Sequence, residues 1–151
     1  MLRHVSGLGE VVEDVPAAVA FYRDVLGLEV EHDGGDDYAI VKVSGILHLG
    51  IWSRGAAAES ALGDREQAQQ VPLGLSLGFE VDDVESAAAT MIKRGQSFIQ
   101  APKTEPWGQA TARFILPGGG MGEICTTPWA REIVTPAEVK SADGTVGDGH
   151  A

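Results

Sequence analysis

The sequence predicts an α+β domain in which one order of elements, a strand, a helix and three further strands, is written twice. Three observations carry this prediction. VVEDVPAAVAFY at Val11 to Tyr22 has a partner in EVDDVESAAATM at Glu80 to Met91; at an offset of 69 residues Val12 meets Val81, Glu13 meets Asp82, Asp14 meets Asp83, Val15 meets Val84 and Ala18 meets Ala87. Each copy changes from strand-like to helical apolar spacing at a residue suited to cap a helix. Three alternating segments then follow each helix. A chain of 151 residues is the size of one domain, so both copies share it.

The elements follow in order. The first strand runs toward Val12, and Asp14 caps the first helix, with Pro16 at an early position that needs no amide hydrogen. Val15, Val19, Tyr22 and Leu26 then recur at helical intervals, and Gly27 stops the helix. LEVEHD, DYAIVKV and ILHLGIW read as strands. The linker SRGAAAESALGDREQAQQVP, from Ser53 to Pro72, is polar and Ala-rich, which leaves a short helix and an irregular excursion both open. In the second copy Asp83 caps, Glu85 suits the positive end of the helix dipole, Val84, Ala88, Met91 and Ile92 give the apolar face, and Gly95 is the stop. QSFIQ, TARFIL and GEICTT follow as strands.

Between the last two strands, ILPGGGMGEIC resembles a phosphate loop only in glycine content. It matches neither nucleotide-binding spacing, and a strand rather than a helix follows, so Pro117 opens a hairpin in which Gly118 to Gly120 supply positive backbone angles. Module one spans about residues 1–54, the linker 55–71 and module two about 72–134. The Gly-, Asp- and Ser-bearing tail, 135–151, is expected to be disordered.

With 22 acidic against 11 basic residues the formal net charge is −11, which disfavours nucleic acid and anionic membranes and favours a cationic guest. Cys125 is the only cysteine, so no intrachain disulfide and no Cys-based zinc cluster forms; a buried strand thiol is expected. No apolar run reaches the roughly 18 residues of a membrane span, and the N-terminus lacks a signal core. A soluble cytoplasmic protein is expected.

VEDVPAAVAFYRDVLGLEV, its second copy FEVDDVESAAATMIKRG, and EPWGQATARFILPGGGMGEI together resemble the vicinal oxygen chelate superfamily, which includes glyoxalases, extradiol dioxygenases, metal-dependent fosfomycin-resistance transferases and bleomycin-resistance proteins. The resemblance covers about residues 1–130. It implies two tandem βαβββ modules whose sheets form a half-open eight-stranded barrel around a cavity, commonly completed within a homodimer. The family's acidic hairpin is here all glycine.

The family's metal enzymes take ligands from the first and last strand of each module. On that resemblance the first-strand slots hold Gly7 and Ser76, seven residues before each capping Asp, and the last-strand slots hold His48 and Glu123. Two of four positions therefore keep liganding chemistry, and His48 and Glu123 are metal ligands only if a metal is bound. His4 and Glu10 lie an odd number of residues from Gly7 and face away from the slot unless the strand bulges; Glu80 lies too far along its strand. Glu123 is expected to pair with His48, a carboxylate and imidazole able to act as acid and base, and Arg113 is expected on a solvated face. Alternation puts Gly7, Gly9, Ser76, Gly78, Trp52 and Met121 around the same cavity, with Trp107 near its mouth.

The leading expectation is a small-molecule binding protein of the bleomycin-resistance kind that holds an antibiotic-like or planar, cationic ligand in a dimeric cavity without a cofactor. The alternatives are a lyase or dioxygenase using Zn, Ni, Mn or Fe on His48 and Glu123, and an assembly or regulatory protein with an unused or side-chain-filled cavity.

Overall fold

Residues 2–129 are described by the structure, a computed structural model, so the tail expected to be disordered lies outside the described residues. The chain runs β1 (Leu2–Val12), α1 (Val15–Ala20), β2 (Glu29–Glu31), β3 (Tyr38–Lys42), β4 (Leu49–Ser53), α2 (Arg54–Leu62), β5 (Gly74–Val81), α3 (Val84–Lys93), β6 (Gln100–Thr104), β7 (Ala110–Ile115) and β8 (Met121–Thr126). The eight strands form one open sheet in the order β2-β3-β4-β1-β5-β8-β7-β6. Each module closes on itself by a parallel pairing of its first and last strands, β1 with β4 and β5 with β8, and the modules join where β1 meets β5 antiparallel. Two βαβββ modules with all eight strands in one unclosed sheet is the predicted architecture.

The helix starts follow the predicted chemistry. Asp14 accepts from the Ala17 amide at 2.8 Å and Asp83 from the Ser86 amide at 2.7 Å. Gly27 and Gly95 take positive φ angles, +69° and +92°, after their helices. In module one the helix ends at Ala20 and widens into a π turn over Phe21–Val25, where the Leu26 amide donates to the Phe21 carbonyl at 3.2 Å. The wider turn shifts the helical period by one residue, so Leu26 is exposed and Leu28 packs inward instead.

Two other expectations are corrected. The strand predicted at QSFIQ lies four residues later, at Gln100–Thr104. As the sheet's edge it tolerates Pro102, which has no amide hydrogen to give, and it bulges between Gln100 and Lys103. In the glycine hairpin only Gly119 has a positive φ, +91°. The neighbouring glycines serve close approach: a Cβ on Gly120 would lie 2.5 Å from the Leu75 carbonyl oxygen, and one on Gly122 would lie 2.6 Å from the Phe114 ring.

Three apolar clusters hold the layers together. On one face of the sheet α1 packs Val15 and Val19 against Ala39, Val41 and Ile51, and α3 packs Val84, Ala87 and Ala88 against Val81, Ala112, Phe114 and Ile124. On the opposite, inner face lies α2, formed from the linker, capped by Ser53 and ended by Gly63 at φ +78°. Its Ala57 and Ala58 pack on Val11, Val71 and Met121, with Trp52 and Ile99 at the margin. The linker residues Arg65–Gln70 add a turn of 3-10 helix.

Candidate functional site

The register across the inner face sets the geometry of the site. The Leu8 amide donates to the His48 carbonyl at 2.9 Å, Gly7 stands opposite Gly78, Gly78 beside Glu123, Glu123 opposite Arg113, and Arg113 opposite Gln100. His48, Gly7, Gly78, Glu123, Arg113 and Gln100 thus form one lateral row. Ser76, assigned to a ligand slot by counting, falls in the next row, beside Gly9 and Met121. Between His48 and Glu123 the row offers only two glycines, and three strand steps separate the strands that carry them, roughly 14 Å along the sheet. β1 does bulge, between Val5 and Gly7, and the bulge brings Ser6 rather than His4 to the second module's interior, where its Oγ lies 3.0 Å from Cys125 Sγ. Cys125 is fully buried, as expected, and burial pushes its thiol up to about 12.

Glu123 does not pair with His48. Its Oε2 accepts from Arg113 Nε at 2.8 Å, and Arg113 is 1% exposed rather than solvated. The alternation in TARFIL accounts for the correction: Thr111, Arg113 and Ile115 share the inner face, and Ala112 and Phe114 turn toward α3. Arg113 Nη1 also donates to Glu105 Oε1 at 2.7 Å, to Ser60 Oγ on α2 at 2.9 Å, and to Gln100 Oε1. Thr111 Oγ1 donates to Glu105 Oε1 at 2.9 Å, and Lys103 Nζ lies 3.4 Å from the other Glu105 oxygen. Arg113, Glu105 and Glu123 lie in a low-dielectric interior, where an unpaired charge would be costly, and Lys103 balances them from the exposed edge strand. Burial still pushes the Glu123 carboxyl above the usual carboxylate range, against the opposing pull of Arg113.

The aromatic and apolar candidates divide accordingly. The Arg113 guanidinium carbon lies 5.3 Å from the centre of the Trp52 ring, so that indole faces a cation of the protein itself. Met121 is 1% exposed beneath α2 and is core rather than cavity wall. Trp107 stands half-exposed in the turn between β6 and β7, its indole donating to Gln109 Oε1 at 3.0 Å, several residues beyond Arg113 along the hairpin.

The module-one half of the inner face is built differently. Gly7, Gly9 and Gly50 provide a floor without side chains, and Ser76 follows on the next strand. Over this floor the Tyr38 hydroxyl and His48 Nε2 are 2.6 Å apart, with the rings stacked at 17° and 6.3 Å between centroids. Burial, reinforced by the nearby Lys42 ammonium, lowers the proton affinity of His48, and burial raises the Tyr38 hydroxyl to about 12. Both groups are neutral at pH 7. Sequence reasoning passed over Tyr38, although the alternation in DYAIVKV places it with Ile40 and Lys42 on the inner face.

A divalent metal does not fit the row. Gly7, Gly78 and Ser76 offer no ligand of the required kind, Glu123 is held by a guanidinium, and among the described residues no group of three or more His, Cys, Asp or Glu is placed to hold an ion.

A sequence model of the glyoxalase-like domain matches residues 8–127. A glyoxalase/bleomycin resistance protein/dioxygenase superfamily member from Vibrio splendidus 12B01 is similar in structure, at 20% identity and a TM-score of 0.57, over 84% of this chain and 100% of that one. A methylmalonyl-CoA epimerase from Streptomyces coelicolor, in complex with 2-nitronate-propionyl-CoA, is similar at 22% identity and a TM-score of 0.59, over 85% of this chain and 99% of that one. At these identities the structural likeness concerns the fold. The curated proteins give no match.

Proposed function

We propose, from the premise that the chain belongs to the glyoxalase-like domain family of the vicinal oxygen chelate superfamily, that it is a small-molecule binding protein which seats a planar ligand on the module-one half of its inner face and uses no resident metal. The observation that carries this reading is the Glu123–Arg113 ion pair. It occupies the one carboxylate in the row, and the network around it reaches α2 through Ser60, a helix that lies over Val11 of β1 and Met121 of β8.

The Tyr38–His48 pair lies over Gly7 and Gly50, and the seat proposed for a ligand is the strip beside that pair, over Gly9 and Ser76. Flat backbone beside stacked rings suits a planar guest. The charge favours a cationic one. Beyond Tyr38 a cavity of about 410 Å³ is lined by Asp33 and Asp36, with Glu31 paired to Lys42 and Asp37 paired to Arg65 at its edge, and the chain as a whole carries −11. A homodimer that closes the open sheet over this seat is part of the same proposal.

The test has two measurements. Protein grown with mixed divalent ions, dialysed and analysed for metals is expected to hold well under one equivalent, and a panel of planar aromatic cations is expected to give saturable heat that a bulky Gly50→Leu variant loses. One tightly held metal per chain, lost in His48→Ala, would overturn the metal-free reading. Absence of heat across the panel would overturn the ligand seat.

A further inference from the structure

We propose that Tyr38 and His48 form a proton relay serving this seat, in which the Tyr38 hydroxyl takes a proton from a bound carbon acid while its own proton passes to His48 Nε2. The inference rests on the seat described above. It assigns chemistry to a residue, Tyr38, that lies outside the family's ligand slots.

The geometry is specific to the pair. In the relay His48 is the neutral Nδ1–H tautomer, into whose Nε2 lone pair the Tyr38 hydroxyl, 2.6 Å away, donates. The imidazole occupies a notch that two glycines leave open. A Cβ on Gly50 would lie 3.1 Å from the Tyr38 hydroxyl oxygen and 3.2 Å from His48 Nε2, and a Cβ on Gly7 would lie 3.3 Å from His48 Cβ and 3.5 Å from its Cδ2. Side chains at either position would crowd the pair. Tyr38 is 42% exposed and His48 is half-buried, so the hydroxyl is the more accessible member of the pair to a ligand beside it.

The nearby charged groups are bonded to partners other than the pair. Lys42 is engaged by Glu31 at 2.8 Å, and Glu123 by Arg113. Burial, and after it the Lys42 ammonium, favours the neutral imidazole, and so its return to the receptive state once the accepted proton leaves to water. A hydrogen bond that merely tied β3 to the start of β4 would use the same two residues, so the test must read proton transfer itself.

The probe is 5-nitrobenzisoxazole, a planar carbon acid. The Tyr38 oxygen takes its ring C–H proton as the hydroxyl proton moves to His48, the electrons of the C–H bond form the nitrile, the N–O bond breaks, and a coloured phenolate leaves. Binding is followed separately by quenching of tryptophan emission. The expected result is a saturable rate with a solvent deuterium isotope effect, reduced roughly a hundredfold in both Tyr38→Phe and His48→Gln, with dissolved imidazole restoring part of the rate to His48→Ala. Wild-type rates in Tyr38→Phe, or binding with no rate above that of the variants, would overturn the relay and leave the seat standing. Failure of the probe to bind while the planar cations still give heat would overturn the relay and leave the seat standing, and failure of both to bind would overturn the seat and the relay with it.

Discussion

Replacing Arg113 by Met removes the cation on which the interior of module two depends while keeping an apolar stem of similar length. Arg113 is 1% exposed, and its loss leaves Glu105, whose side chain is 1% exposed, and Glu123, 16% exposed, without their guanidinium partner. Removing one partner of a buried pair costs about 3–5 kcal/mol. For a domain of this size each kcal/mol moves the melting temperature by roughly 2–4 °C, so a fall of roughly 6–20 °C is expected. The pH dependence gives a sharper test. In the folded state burial raises the Glu123 carboxyl above its unfolded value, and Arg113 restrains that rise. A raised carboxyl means the folded chain holds more protons than the unfolded one above pH 4.5, so stability falls as pH rises through that window. Without Arg113 the window extends upward, and the gap between wild type and variant widens as pH rises above 4.5, by at most about 1.4 kcal/mol per pH unit for one proton. Urea denaturation at a series of pH values measures this. A variant as stable as wild type at pH 8, or a gap that narrows as pH rises, would refute the reasoning.

Further outcomes follow from other contacts. Gly122→Ala puts a methyl 2.6 Å from Phe114 in the core under α3 and should cost about 1–3 kcal/mol in chemical denaturation. Asp83→Ala removes the side chain that accepts from the Ser86 amide and should cost about 1 kcal/mol, with Asp83→Asn nearly neutral, since Asn caps as well. Gly50→Ala presses on two side chains that can swing aside, so thermal stability should change by no more than about 1 kcal/mol. The ring nitrogen shifts of His48 in an NMR spectrum should nevertheless move, because the Tyr38 hydrogen bond is parted; unchanged shifts would show that the pair tolerates the methyl.

The sequence carried the elements of the fold more fully than the rows that run across it. Both capping aspartates, both helix-ending glycines and the duplicated order were readable because each depends on neighbours a few residues away. Register was not readable to the same degree. Counting from the capping residue set Ser76 in a ligand slot, whereas hydrogen bonding across the sheet puts Gly78 beside Glu123. Arg113 was placed in solvent because its partners, Glu105, Gln100 and Ser60, lie 8, 13 and 53 residues away and none announces itself locally. The π turn after α1 and the late start of β6 each displaced one predicted element, the first through an extra residue in a turn and the second through a proline that only an edge could hold.

α2 has a further consequence when regarded as an occupant rather than a wall. It is joined directly to β4 at Ser53 and returns to β5 through the following turn, so it meets the inner face it covers, from Val11 of β1 to Met121 of β8, as a tethered competitor with an effective concentration on the order of millimolar. A free solute present at micromolar levels must bind that face about a thousandfold more tightly than α2 does, about 4 kcal/mol, before it can displace the helix. A linker of this length therefore does by attachment what a bulky side chain would do by volume, and it makes the two halves of an internally duplicated chain unequal in what they can admit.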